Sequence, residues 1–136
     1  MINVLKAGIF YFLGVFAMGF MLGALRSFFL VSYTGPVMAV LIEIPLMLIF
    51  AWYLCLLLTR KLEIPSDIYG RLLMGTVAFA CLLTGEILIA VLLQAGRVTD
   101  FFLTFDLPEN RIGLGAQIAF ALFPAIQGYG QAKANR

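Results

Sequence analysis

PVMAVLIEIPLMLIFAWYLCLLL, residues 36–58, decides the fold: twenty-three residues in a row carry one charged side chain, Glu43. A bilayer's hydrocarbon core is crossed by about 20 apolar helical residues, so this stretch reads as a transmembrane helix. Its ends are marked as well. Ser32, Tyr33, Thr34 and Gly35 supply turn chemistry ahead of it, Pro36 suits a first helical position, and Thr59, Arg60 and Lys61 close it with polar and basic groups.

Three more stretches share this character. The first covers residues 4–31, with Lys6 at its start and Arg26 near its far end. Its uncharged part, residues 7–25, is longer than the apolar region of a signal peptide, and no A-x-A cleavage site follows, so it is read as a retained helix. The third and fourth spans are expected over residues 71–95 and 112–129. Between them, residues 97–111 place Phe101, Phe102, Leu103, Thr104 and Phe105 between Asp100 and Asp106, which suits a segment lying at the water interface. The expected fold is therefore all-α, a single polytopic membrane domain over residues 1–136 built as an up-down-up-down four-transmembrane-helix bundle.

Composition supports this and removes several functions. The chain is 63% hydrophobic and 12% charged, far more apolar than an average soluble domain, and 136 residues leave no room for a separate catalytic domain. With no histidine, the usual haem ligand, the commonest imidazole metal ligand and the His-based nucleophilic triads are missing. Cys55 and Cys81 form no CxxC pair and lie in apolar stretches, so they are expected to be reduced and buried rather than bound to zinc. No cofactor and no metal is expected. A net charge of +2 without an aromatic-interleaved basic tract gives no footing for nucleic acid.

Basic residues set the expected orientation. Lys6, Arg60, Lys61, Arg71, Lys133 and Arg136 fall on one side and Arg26, Arg97 and Arg111 on the other, so both termini are expected in the cytoplasm of a bacterial inner membrane.

Charge inside the spans is what sets this chain apart. A charged side chain at mid-bilayer costs about 2.5 to 3.5 kcal/mol and usually faces a bundle interior, a partner or water. If the first two helices turn near Gly35, Arg26 lies nine residues before the turn and Glu43 eight after it. At a rise of 1.5 Å per residue both sit roughly 12 to 14 Å below it, where an interhelical ion pair can form. Glu86 on the third helix and Gln117 on the fourth fall at comparable levels, with Ser27 and Thr84 as further hydroxyl candidates. The expected intramembrane polar cluster is therefore Arg26, Glu43, Glu86 and Gln117. One arginine cannot neutralise two carboxylates, which leaves room for a proton, an ion or the cationic group of a small ligand. Pro45 removes a backbone donor beside Glu43 and is expected to bend the second helix. Gly19, Gly23 and Ser27 form a small-residue stripe expected to pack helices closely, as do Gly113, Ala121 and Ala125 on the fourth.

Two resemblances follow from these motifs. GFMLGALR, residues 19–26, is similar to the glycine-rich first helix of small four-helix fluoride channels, although the second helix here lacks their pore asparagine. More of the chain resembles a group of small four-helix bacterial inner-membrane proteins that share GxxxGxxR, an ExPLML segment and AFxxLxxxE, found here at residues 19–26, 43–48 and 78–86. This resemblance implies four spans and groups Arg26, Glu43 and Glu86, without implying an activity.

Taken together, the sequence favours a non-enzymatic protein, either a self-associating bundle (a homo-oligomer) or a small subunit beside a larger membrane-protein partner. The alternative is a small ion or proton channel or solute transporter using Glu86 with Arg26 and Glu43. A lipid-directed enzyme ranks last, because no nucleophile or metal set is present.

Overall fold

The computed structural model describes residues 1–94 and 97–134. Ala95, the expected end of the third span, and Arg136, one of the basic residues used for orientation, lie outside the described residues. Four long helices are apolar enough to cross a membrane: α1 (Ile2–Thr34), α2 (Pro36–Lys61), α3 (Ile68–Gln94) and α5 (Pro108–Ala134). A short helix, α4 (Val98–Leu103), and a 3-10 turn over Thr104–Asp106 connect the last two. The chain is an all-α integral membrane protein.

Gly35 makes the first turn on its own. Its φ of +80° costs a β-carbon-bearing residue dearly, and there the chain reverses: the Gly35 amide still closes α1 on the Val31 carbonyl, while the Gly35 carbonyl accepts the first bond of α2 from Ala39. Pro36 then stands at the start of α2, where its missing donor costs nothing. At the other end of α2 the chain turns within residues 62–67, and the Asp67 carboxylate starts α3 by accepting the Gly70 amide at 2.7 Å.

Several boundaries differ from those read in the sequence. Helix α1 begins two residues earlier and runs on to Thr34, because the turn needs Gly35 alone. Helix α5 starts at Pro108, four residues early, and continues to Ala134 through what the sequence suggests is a polar tail. Its amide donors at the start are met locally, as Asn110 and Arg111 both donate their backbone N–H to the Leu107 carbonyl.

The helices form a square in which α1 adjoins α2 and α3, and α5 adjoins the same two. Among the described residues α2 and α3, though consecutive, stand diagonally opposed. Helices α3 and α5 approach closely where Gly75 faces the Ala121 backbone, so tightly that a β-carbon would collide with the Ala121 carbonyl oxygen. Small residues thus serve packing here, as membrane bundles require in the absence of a hydrophobic drive between helices.

The packed core lies in the half of the bundle near the chain termini. Val4, Ala7, Tyr11 and Val15 of α1 meet Ala51 and Cys55 of α2, Met74, Ala78 and Leu82 of α3, and Phe120 of α5. Tyr11 is fully buried and reaches across the square, its ring 4.5 Å from that of Phe120 and its hydroxyl donating to the Phe120 carbonyl at 3.1 Å. Buried in hydrocarbon, that hydroxyl needs such a partner.

Candidate functional site

Above this core, toward α4, the four helices part around a cavity of about 620 Å³. Its floor is the upper edge of the core: Val15, Ala51, Leu82 and Phe120. Its walls are mostly apolar, and the polar groups in them include all four residues that the sequence singles out within the spans.

These four come together as two pairs across adjoining helices. On the α1–α2 side, Arg26 Nη1 lies 3.1 Å from Glu43 Oε2. The approach is off the N–H direction, so it is an ion contact without an aligned hydrogen bond, and Glu43 Oε2 receives no donor. On the α3–α5 side, Gln117 Nε2 donates to Glu86 Oε1 at 2.6 Å. The Gln117 Oε1 atom is buried and likewise receives no donor among the described residues.

A local backbone feature begins at Arg26. Residues Arg26–Leu30 form a π-helical stretch inside α1, one extra residue per turn, which rotates the following side chains relative to an unbroken α-helix. Such turns are frequent at functional sites. Nothing in the local sequence RSFFL announces it.

The small-residue stripe has a different place from the one expected. Gly19, Gly23 and Ser27 line the cavity rather than a close helix contact. A β-carbon at Gly23 would meet nothing within 4 Å, and one at Gly19 would only touch the Met47 methyl at 3.4 Å. On α5 the stripe divides: Gly113 borders the cavity and is also open, whereas Ala121 packs against Gly75. Thr84 is turned away, exposed and bonded to the Ala80 carbonyl of its own helix at 2.7 Å. Pro45 sits inside an α2 that runs unbroken from Pro36 to Lys61, and it does not border the cavity, although its neighbour Ile44 does.

The mouth was not legible in the sequence as part of the site. Arg97, Asp100, Thr104, Glu109 and Asn110 border it, and the loop that carries them is folded onto the bundle. Asp100 accepts the Arg97 amide at 2.8 Å and so starts α4. The Asn110 side chain donates to the Thr104 carbonyl at 2.8 Å, and Arg111 Nε to the Phe105 carbonyl at 2.7 Å, tying the 3-10 turn to the first turns of α5. Phe101 and Phe105, edge to face at 5.4 Å, turn inward to the cavity, while Phe102 and Leu103 remain exposed. The alternation of apolar and acidic residues in 97–111 is the signal that could have suggested a cover rather than a surface segment.

A second polar group sits at the opposite end, outside the cavity. Arg71 is only 1% exposed, and its guanidinium donates to the carbonyls of Pro65 and Ile64 and to Gln131 Oε1, at 2.9, 3.1 and 2.9 Å. Gln127 donates to the Trp52 carbonyl at 2.9 Å. These bonds tie the α2–α3 linker and α2 itself to the end of α5. The sequence marks Arg71 only as a basic residue flanking a span, and its burial has no sequence signal beyond Gly128, which leaves space for its stem.

Among the described residues no three His, Cys, Asp or Glu side chains converge as a metal site would require, and Cys55 and Cys81 are free thiols. No family model, curated protein or solved structure matches the chain.

Proposed function

We propose that this membrane protein binds a small solute in the cavity beneath α4, as a carrier or receptor of that solute rather than as an open channel. One observation carries the reading: a cavity of about 620 Å³ gathers Arg26, Glu43, Glu86 and Gln117 and has the upper edge of the packed core as its floor. Its volume and its make-up, apolar walls with a few placed polar groups, are those of ligand sites, which run from about 300 to 1,000 Å³. A conducting pore would need a path past Tyr11 and Phe120, which stack and hydrogen-bond across the bundle axis.

Exposed large apolar side chains occur on every long helix, among them Leu13 on α1, Ile49 on α2, Leu88 on α3 and Leu122 on α5. The solute-binding reading is preferred to the rival role, a subunit or self-associating bundle, because the polar groups line the cavity. In the orientation expected from the basic residues, with both termini in the cytoplasm, the cavity opens outward.

Thiol labelling tests this without knowledge of the ligand. In a chain with Cys55 and Cys81 replaced by alanine, Gly113→Cys should react with a membrane-impermeant methanethiosulfonate added on the α4 side of sealed vesicles. Ala78→Cys, fully buried in the core, should not react. An unreactive Gly113→Cys in a folded protein would mean that the cavity is closed to water, and the proposal would fall.

A further inference from the structure

The polar groups around the cavity are unevenly matched, and the imbalance has a sign. Four carboxylates border it, Glu43, Glu86, Asp100 and Glu109, against two guanidinium groups, Arg26 and Arg97. Hydrogen-bonding capacity is skewed in the same direction. Glu43 Oε2 and Gln117 Oε1 are buried oxygens without donors, and Gln117 has already committed an N–H to Glu86. A buried acceptor left without a donor costs about 1 to 3 kcal/mol; these two atoms are covered by protein, so what the open space itself presents is the excess of acidic over basic side chains. Phe16, Phe101, Phe105 and Phe120 are among the side chains that line the same space, and aromatic rings attract cations.

Building on the reading of this cavity as a binding site, we infer that its ligand is an organic cation: an N–H-bearing ammonium or amidinium group carried on an apolar body. The head group would sit between Glu86 on one side and Glu43 on the other, where the acidic excess lies. The body would lie against the apolar wall below α4. An inorganic metal ion fits less well, since no three ligating side chains converge among the described residues. An anion would meet four carboxylates with two guanidinium groups to hold it, one of them already engaged by Glu43.

The test uses one body with three heads: 4-phenylbutylammonium, 4-phenylbutanol and 4-phenylbutanoate, measured by equilibrium dialysis against the full chain in detergent, with empty micelles subtracted. The ammonium should bind roughly tenfold or more tightly than the other two, a modest share of the attraction expected between unit charges near 4 Å at intermediate dielectric. Neutralising substitutions should then act with opposite signs. Glu86→Gln should remove most of the preference for the cation and Glu86→Asp keep it, whereas Arg26→Gln should strengthen cation binding by freeing Glu43. Should Arg26→Gln fail to fold, Arg97→Gln at the mouth removes the other guanidinium and should shift affinity the same way. Gly113→Phe, whose side chain enters open space, should abolish binding of all three probes.

Preference for the carboxylate or the alcohol, or an Arg26→Gln variant that folds and loses the cation, would overturn the inference. Binding of the ammonium that persists in Gly113→Phe would overturn it too, by placing the probe elsewhere. Each of these results is separable from the labelling test: a water-reactive Gly113→Cys combined with a preference for the anion leaves the cavity as a binding site and rejects only the cationic ligand.

Discussion

Replacing Gly75 with alanine adds one methyl group and should destabilise the bundle out of proportion to its size. The new β-carbon would collide with the Ala121 carbonyl oxygen, and because the obstacle is backbone, no rotamer change relieves it. Helices α3 and α5 must separate. Overpacking of this kind costs about 1 to 3 kcal/mol, and a backbone obstacle places Gly75→Ala at the upper end. Alanine restores about 0.5 to 1 kcal/mol of helix propensity relative to glycine, so the net loss should be about 2 kcal/mol, roughly thirtyfold in the folding equilibrium. Gly23→Ala is the matched control. It is the same substitution within a transmembrane helix, yet its β-carbon meets nothing within 4 Å, so only the propensity gain remains. Reversible unfolding with SDS in mixed micelles, followed by far-ultraviolet circular dichroism, should therefore rank the proteins Gly23→Ala, wild type, Gly75→Ala. A Gly75→Ala protein as stable as the wild type would refute the α3–α5 approach on which the position of Gln117 depends.

Two further substitutions probe the other fixed points of the bundle. Tyr11→Phe keeps the ring against Phe120 and removes only the hydroxyl that donates to its carbonyl, so the same unfolding assay should show a loss of about 1 kcal/mol, and a value near zero would mean that the cross-bundle bond is not made. Arg71→Met deletes three charge-assisted bonds and should cost about 3 kcal/mol or more, while Gln131→Ala deletes one of them and should cost about 1.5 kcal/mol. In the double variant the Gln131 change should add almost nothing; strict additivity would separate the two side chains.

What the sequence made legible was the part governed by transfer energetics. A run such as residues 36–58 has only one low-energy placement, and four such runs make a bundle whatever their contacts. The depth of Arg26 relative to Glu43 could be counted because both lie within nine residues of a turn fixed by Gly35, so small errors in helix rise do not accumulate. Contacts between non-consecutive helices were a different matter. The diagonal placement of α2 and α3, the π-helical stretch at Arg26 and the folding of residues 97–106 over the cavity depend on how four surfaces fit together, and no single helix's periodicity records that. Glycine spacing shows the same limit. Gly19 and Gly23 form a packing motif on paper, while the glycines that face another helix's backbone are Gly75 and, less tightly, Gly8, which no motif singles out.

The two ends of the molecule use buried polarity for different purposes, and the contrast bears on function. Around Arg71 the polar groups are packed into protein: Nε and Nη2 donate to the α2–α3 linker and to Gln131, joining segments that would otherwise be free to part, while Nη1 and Gln127 Oε1 are buried without a partner. Around Arg26 and Glu86 each pair joins only two neighbouring helices, and both pairs face a void. A buried ion pair is weak evidence of stabilisation, because apolar residues of similar volume often serve a fold as well or better. Helix closure does not need the upper pairs, since the core from Tyr11 to Phe120 already holds all four helices together below them. Polar side chains that cost energy in a membrane, add little to closure and border an open cavity are accounted for by what enters that space.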